Sequence, residues 1–185
     1  MNDIMLDIET LDNRPTAVVV SIGAVFFDPY SKAMGNTFYA EMAGDIDTQL
    51  AAGRTVCGPT IRWWMQQSAD ARDVFSGSGA SHLTTPEALV HFTRFVESAP
   101  HLPSLNIWGN GAAFDNTILA SLYDSMCIKR PWSYRNDRCY RTVAGLGYGP
   151  RPKKPKTPHN ALSDAVSQAV HLQEVFAAME DCHGC

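Results

Sequence analysis

The sequence predicts an α/β fold in which helices cover one mixed sheet with antiparallel and parallel strands. Two observations support this class. The opening part of the 185-residue chain contains three strand patterns separated by turn residues, which indicates an antiparallel meander. Further on, a strand pattern lies among helical patterns, as in sheets with parallel strands. Because no internal repeat or linker divides the chain, we expect residues 1–185 to form one domain.

Four segments have the period or composition of strands: residues 4–9, 17–27, 36–42 and 105–108. Residues 4–9 alternate, so Ile4 belongs to one face and Asp7 to the other. Residues 17–27 are rich in β-branched side chains and almost continuously apolar, which is typical of a strand that is buried on both faces.

Five segments have helical patterns: residues 59–67, 85–98, 115–126, 138–146 and 160–179. In the second, Thr85 is the expected cap and Pro86 lies in the first turn. Residues 147–158 contain prolines that exclude regular structure, so this segment is predicted to be a loop.

Charge is distributed unevenly along the chain. The formal net charge is −4, yet residues 129–156 contain nine basic residues and one acid, a charge of +8 that leaves −12 for the remainder. A basic strip of this kind is typical of a surface that holds a polyanion, although a solvated loop has the same composition.

Composition favours a cytoplasmic protein that is not embedded in a membrane. No apolar run approaches the ~20 residues that cross a bilayer, and the first residues lack the basic start of a secretion signal. The five cysteines are odd in number and irregularly spaced, which indicates free thiols. Cys182 and Cys185 form a C-x-x-C at the end of the chain, where a zinc site would lack further ligands.

Two carboxylates lie close together on the first strand. Asp7 and Glu9 are two residues apart, so both side chains leave the same face. Like charges repel and lose hydration on burial, unless a divalent cation lies between them. The alternative is an edge strand whose second face contacts water.

Three further residues are candidates for the same site. Asp115 follows a strand and begins a helix, where a carboxylate can also serve only as a cap. His159 and Asp164 are five residues apart, about 140° around a helix. If both belong to one site, His159 lies in the loop ahead of the helix and Asp164 lies inside it. Pro158 before His159 agrees with that arrangement.

Three motifs together resemble a known family. D-I-E-T at residues 7–10, N-G-A-A-F-D at 110–115 and H-N-A-L-S-D at 159–164 resemble the DEDDh branch of the DnaQ-like 3′–5′ exonucleases. T-I-R-W-W at 60–64 and the histidine motif also resemble small phage and prophage exonucleases, both exonuclease VIII-like proteins and exoribonucleases. Many relatives have a glycine turn after the first motif, whereas this chain has Leu11-Asp12-Asn13. Because Asn tolerates that turn, we expect activity to be retained.

The resemblance implies an RNase H-like fold and hydrolysis of nucleic acid from a 3′ end, with release of nucleoside 5′-monophosphates. Single-stranded 3′ ends are the expected partner, although the sequence does not separate single-stranded from double-stranded substrates. It implies that Asp7, Glu9, Asp115 and Asp164 hold two divalent ions and that His159 takes the proton of the attacking water. Oxygen ligands favour Mg²⁺ or Mn²⁺.

Substrate contacts follow less directly. Thr10, Asn110 and Phe114 lie beside the predicted ligands and are candidates for contacting the terminal nucleotide. Trp63 and Trp64 point about 100° apart on a helix, so one is expected in the core while the other is free to stack on a base. The expected phosphate contacts are Arg138, Arg141, Lys153, Lys154 and Lys156.

Several alternatives stay open. The sequence does not separate DNA from RNA as substrate, because the contacts to a 2′-hydroxyl cannot be identified. A catalytically silent nucleic-acid-binding module and a phosphodiesterase of short oligonucleotides or nucleotides are the rival functions. Since related exonucleases are sometimes dimers, a homodimer is possible, although no interface pattern is visible.

Overall fold

The computed structural model describes residues 1–76 and 82–183, and a five-stranded mixed sheet lies at their centre. The strands are β1 (Asp3–Thr10), β2 (Val19–Phe27), β3 (Met34–Glu41), β4 (Asn106–Gly109) and β5 (Asp137–Cys139). They lie in the order β3-β2-β1-β4-β5. The first three form an antiparallel meander, and β4 and β5 continue the sheet in parallel pairing. The predicted fold class is therefore confirmed.

Helices cover both faces of the sheet. They are α1 (Ile46–Ala51), α2 (Gly58–Met65), α3 (Ala69–Arg72), α4 (Thr85–Glu97), α5 (Asp115–Ser125), α6 (Tyr140–Ala144) and α7 (Ala161–His183). The alternation of β1 decides which layer each residue contacts. Ile4 packs in the cluster that includes residues of α4 and α5, whereas Met5 packs against residues of α6 and α7. Asp7 and Glu9 share the face of Met5 and therefore face α7.

The predicted helix over 138–146 is wrong at its start. Asp137–Cys139 forms β5, which pairs in parallel with β4 (Ile107 opposite Asp137), and α6 begins only at Tyr140. Asp137 accepts hydrogen bonds from Asn116 and from the Trp132 indole, both at 2.9 Å. These partners are distant in sequence or lie in a neighbouring loop, so no local pattern indicates them.

The cap of α4 lies one residue earlier than predicted. Glu87 accepts a hydrogen bond from the backbone N–H of Thr84 at 3.0 Å, which makes Thr84 the capping residue. The N–H of Thr85 instead donates to Asp45 at 2.6 Å, which ties this helix to the start of α1. Helices α1 and α3 have only six and four residues and were not predicted, because so short a pattern has little periodicity.

Gly23 allows α7 to approach the sheet. It lies on β2 directly opposite Asp7, and a Cβ there would be 2.1 Å from the backbone nitrogen of Leu162. Since the obstacle is backbone, no side-chain rotation can relieve the contact. The first turn of α7, which carries Asp164, therefore reaches β1 only because residue 23 has no side chain.

We expect Gly23→Ala to displace this turn and to lower the free energy of unfolding by about 3 kcal/mol, at the upper end for overpacking. The exonuclease activity that the sequence resemblance implies should fall with it, because Asp164 moves away from Asp7. Urea denaturation and an oligonucleotide cleavage assay measure the two effects. Gly44→Ala is the control, since a Cβ at Gly44 meets nothing within 4 Å. A Gly23→Ala protein of unchanged stability would contradict the prediction.

No helix within residues 1–76 and 82–183 is both long enough and apolar enough to span a membrane.

Candidate active site

Strand β1 brings two carboxylates into the interior of the molecule. Asp7 and Glu9 are 8% and 9% exposed, and β1 is paired on both sides, with β2 and with β4. The alternative of a wet edge strand is therefore wrong. Both side chains face α7, so their charges require partners from that layer.

Asp115 enters the same region from the start of α5. It is 3% exposed, and one of its carboxylate oxygens accepts the backbone N–H of Gly111 at 2.9 Å. Gly109 at the end of β4 makes room for it, since a Cβ there would lie 2.9 Å from the Cβ of Asp115. Asp115 also raises the pKa of Asp7, which places the two carboxylates within electrostatic reach of each other.

His159 and Asp164 arrive on the segment that leads into α7. His159 lies ahead of the helix in a left-handed conformation with φ of 62°, and its backbone N–H donates to Asp164 at 2.9 Å. Asn160 accepts the N–H of Ser163 at 3.0 Å, as a cap of the helix does. One candidate ligand atom each from Glu9, His159 and Asp164 lie within 4.8 Å of one another. The five predicted residues therefore converge from three elements and one loop.

Burial and mutual repulsion dominate the electrostatics of this cluster. Burial raises the pKa of Asp7 well above its ordinary value, and Asp115 and Glu9 raise it further. Burial, followed by Asp164 and Asp115, raises the pKa of Glu9 to about 8. Burial raises the pKa of Asp115 to about 6, against the lowering effect of backbone N–H donors and of Arg141. Asp7 and Glu9 thus lack a positive charge beside them, which a bound cation would supply.

Gln168 is a residue of this site that was not predicted. It is buried on α7, one turn after Asp164, and its side-chain N–H₂ donates to Asp7 at 2.8 Å. Its carbonyl oxygen is buried and has no hydrogen-bond partner among the described residues. The sequence did contain a signal for this residue. Gln168 is a polar side chain on an Ala- and Val-rich helix, four residues after Asp164, and residues four apart share a helix face. Gln168 therefore orients the Asp7 carboxylate.

The two tryptophans of α2 divide as predicted between core and site. Trp64 is 4% exposed, and its indole N–H donates to the carbonyl of Thr10 at 2.9 Å. Trp63 is 39% exposed, and its ring lies 4.8 Å from that of His159 in an edge-on arrangement. Trp64 is thus the packing residue, whereas Trp63 borders the site and keeps an accessible surface.

The other candidates for contacting the terminal nucleotide are less available. The Thr10 hydroxyl is buried and donates to the backbone carbonyl of Asp12 at 2.7 Å. Phe114 packs partly against the core that includes α4 and α5. Asn110 is half-buried in the loop between β4 and α5. Within the part of the chain that the structure describes, the Asn110 side chain makes neither a hydrogen bond nor a core contact. Of the three candidates, Asn110 is therefore the one whose side chain is free to contact a nucleotide.

The basic residues 129–156 do not form one strip. Lys129 and Arg130 line a groove beside α4, in the layer opposite to Asp7 and Glu9. Arg130 lies over the ring of Trp132, 5.2 Å from its centroid. The chain passes from one helical layer to the other between residues 130 and 153, which separates the charges. The prediction of a continuous basic strip is therefore wrong.

The predicted phosphate contacts occupy three positions. Arg141 is exposed near Asp115 and lowers its pKa. Arg138 donates from its guanidinium to the carbonyl of Arg135 at 2.8 Å. Lys153 pairs with Glu174 on α7 at 2.8 Å. The predicted contacts that are exposed along the groove between the 147–158 loop and α7 are Lys153, Lys154 and Lys156.

A mixed sheet that gathers four carboxylates and a histidine at one end is the architecture of the DEDDh-type 3′–5′ exonucleases. Solved structures of such enzymes have this fold. E. coli exonuclease I in complex with a dT13 oligonucleotide shares 12% identity over 98% of this chain and 42% of its own, with a TM-score of 0.64. The nuclease domain of 3′hExo, a DEDDh family member bound to rAMP, shares 13% identity over 97% of this chain and 94% of its own, with a TM-score of 0.53. At these identities the likeness shows the fold alone.

Sequence comparison gives the family. Residues 2–176 match the model of a family described as the 3′-5′ exoribonuclease Rv2179c-like domain. The chain therefore belongs to that family. The exodeoxyribonuclease of Enterobacteria phage T4 is 27% identical over 128 residues, which span 66% of this chain and 56% of the phage protein. The resemblance to DEDDh exonucleases, including phage members and exoribonucleases, is thus confirmed. DEDDh exonucleases generally use divalent metal ions.

Proposed function

We propose that this protein removes nucleotides from single-stranded 3′ ends of DNA or RNA, with two Mg²⁺ or Mn²⁺ ions held by Asp7, Glu9, Asp115 and Asp164. The observation that supports this most strongly is the convergence on His159 of three buried carboxylates, Asp7, Glu9 and Asp115, and the half-buried Asp164. Glu9 has no hydrogen-bond donor among the described residues, so the donor set fits a cation. Oxygen ligands favour hard ions. When bound, such ions activate a water molecule and neutralise the phosphate.

His159 is the proton acceptor in this proposal. No described residue hydrogen-bonds to its ring nitrogens, so they are free to accept a proton. The attacking water gives its proton to one of these nitrogens, and the products are nucleoside 5′-monophosphates. The bond from the His159 backbone to Asp164 keeps the imidazole beside the carboxylates while the proton is transferred.

The substrate enters between a tryptophan and basic side chains. Trp63 offers its free surface to a base near the 3′ end. Arg141, near Asp115, contacts the phosphate backbone, and Lys154 and Lys156 hold the strand further from the site. These contacts recognise any single strand, which leaves the choice between DNA and RNA to experiment. We place the protein in the cytoplasm, in agreement with the free thiols of Cys57, Cys127, Cys139 and Cys182.

The test is a gel assay with 5′-labelled single-stranded DNA and RNA oligonucleotides and either metal ion. We expect a ladder that shortens from the 3′ end and that disappears when the metal is chelated. The faster of the two substrates identifies the preferred sugar. Binding of oligonucleotides without cleavage would favour the silent binding module. Cleavage confined to the shortest members of a length series would favour the phosphodiesterase of short oligonucleotides.

The structure gives a specific prediction for Trp63. Trp63→Ala should weaken binding of a single-stranded oligonucleotide roughly tenfold, because stacking on a base contributes about 1–3 kcal/mol. Trp63→Phe should retain most of the affinity, since it keeps an aromatic ring. Fluorescence anisotropy with a labelled oligonucleotide in Ca²⁺, which favours binding over cleavage, measures the change. Equal affinities of Trp63→Ala and the unmodified protein would rule out the stacking role.

A further inference from the structure

We propose that Tyr39 is a positioning residue of this site: its hydroxyl holds the side chain of Asn160 and thereby keeps His159 beside the carboxylates. The effect on catalysis rests on the proposed function, whereas the positioning itself does not. Tyr39 lies on β3, two strands away from β1, and none of the motifs that resemble the exonucleases includes it. Its contact with Asn160 joins residues that are 121 positions apart in the sequence.

The sheet places Tyr39 and Asp7 on either side of a gap. Gly23 on β2 lies opposite Asp7 on β1 and opposite Tyr39 on β3. Residues directly opposite each other in antiparallel strands have their side chains on the same face, so Tyr39 and Asp7 both face α7. The gap left by the glycine admits the backbone of the first turn of α7, with the nitrogen of Leu162 above residue 23. Tyr39 therefore borders this turn on the side away from Asp7.

The Tyr39 hydroxyl connects the turn to the sheet. It accepts a hydrogen bond from the side-chain N–H₂ of Asn160 at 3.2 Å and donates one to Glu41 at 2.8 Å. Burial and the bond to Glu41 raise the pKa of Tyr39, so the hydroxyl stays protonated and keeps both partners. The side-chain oxygen of Asn160 accepts the N–H of Ser163 at 3.0 Å. Both ends of this amide are thus engaged, one by α7 and the other by β3.

His159 needs such support because its backbone conformation is unfavourable. Its φ of 62° is left-handed, a conformation that a residue with a side chain keeps only where neighbouring contacts enforce it. One contact is the hydrogen bond from its backbone N–H to Asp164, which lies within the same segment. The other is the hydrogen bond that fixes the adjacent Asn160 to Tyr39 on the sheet. Loss of the Tyr39 hydroxyl should therefore let the turn relax and carry the imidazole away from the carboxylates.

Tyr39→Phe tests this role, since it keeps the ring and removes only the hydroxyl. We expect the single-turnover cleavage rate at saturating oligonucleotide to fall roughly tenfold, the upper end of what one net hydrogen bond contributes. The oligonucleotide concentration that gives half of the maximal rate should change by less than twofold, because Tyr39 does not contact the strand in this proposal. Tyr30→Phe removes the hydroxyl of an exposed tyrosine and is the matched control, with an unchanged rate.

Asn160→Ser separates the contact with Tyr39 from the cap of α7. Serine caps a helix about as well as asparagine does, yet its side chain is too short to reach β3. This variant should lose the same factor as Tyr39→Phe, and the double variant should lose no more than either single variant within twofold. It also carries the test if urea denaturation shows that Tyr39→Phe is not folded. Losses that multiply in the double variant would overturn the proposal.

A second readout needs no nuclease activity. The centroid of the His159 ring lies 4.8 Å from that of Trp63 and 6.4 Å from that of Trp64, so the indole ring currents shift its C–H resonances in NMR spectra of the metal-free protein. The signal is assigned by its absence in His159→Gln. It should move toward the position of an exposed histidine in Tyr39→Phe and stay in place in Tyr30→Phe.

The two readouts together decide the proposal. An unchanged His159 resonance in Tyr39→Phe would overturn it at any cleavage rate. A resonance that moves while the rate stays within twofold would overturn the catalytic role, as would a loss that appears only in the affinity for the oligonucleotide. A resonance that moves in a protein that cleaves neither DNA nor RNA would support the positioning and refute the proposed function.

Discussion

His159→Ala should reduce the rate of single-turnover cleavage by about 10²–10⁴-fold, because general-base catalysis typically contributes that much. Asp7→Asn should cost on the order of 10³-fold or more, since it removes a charge that is expected to hold the metal ions. Asn keeps the shape of the side chain and can still contact Gln168, so its effect reports on charge. Cleavage of a 5′-labelled oligonucleotide under enzyme excess measures both.

The control for these variants lies on the helix that carries Asp115, at its opposite end. Asp124→Asn removes an exposed carboxylate from α5, the helix that Asp115 begins, and should cleave at the unmodified rate. Circular dichroism and urea denaturation verify that each variant is folded. If either His159→Ala or Asp7→Asn cleaved within threefold of the unmodified protein, its proposed role would be wrong.

Glu9→Gln should make the metal-free protein more stable, by roughly 1–3 kcal/mol at pH 8, because a buried charge without a donor is replaced by a neutral amide. The pH dependence has a definite sign. The folded protein raises the pKa of Glu9 from 4.5 to about 8, so it favours the protonated carboxyl. The corresponding stability is fully present below pH 4.5 and is lost as the pH rises through about 8. Thermal unfolding in EDTA across this range measures the loss.

Divalent metal ions should restore the stability that the metal-free protein loses as the pH rises. At a concentration 100 times the dissociation constant, Mg²⁺ or Mn²⁺ should add about 2.7 kcal/mol to the free energy of unfolding. In Glu9→Gln this gain should shrink, whereas Glu180→Gln, an exposed change on α7, should respond as the unmodified protein does. A melting temperature that stays constant across titrations with both ions would argue against the metal site.

The four carboxylates of the site lower the stability of the metal-free protein and at the same time provide the metal binding that activity requires. Burial and repulsion among the four carboxylates weaken the metal-free fold, and the same crowding is what makes a cation bind. Gln168 offsets part of this cost, because its donated hydrogen bond lowers the pKa of Asp7. Gln168→Leu should therefore raise the metal concentration needed for half-maximal stabilisation by about 10–100-fold, which a thermal-shift titration measures. An unchanged half-point would limit Gln168 to a packing role.

Much of the site could be predicted, because strand and helix geometry fix the relative orientation of residues that lie close together in the sequence. The alternation of a strand places Asp7 and Glu9 on one face, and helix geometry separates His159 from Asp164. Periodicity also located all the longer helices and four of the five strands. It failed at β5, where a three-residue strand is defined by pairing with β4 rather than by its own pattern. It also failed for the basic residues, whose linear cluster is divided between two layers.

The sequence alone determined the kinds of chemical group and their local orientation, because backbone periodicity acts over a few residues. Only the tertiary structure decided that β1 is central, that Trp64 is core while Trp63 borders the site, and that Gln168 reaches Asp7. Such contacts join residues more than fifty positions apart, and they depend on close packing. The approach of α7 over Gly23 is the clearest case, since a missing side chain on one strand sets the position of a carboxylate on a distant helix.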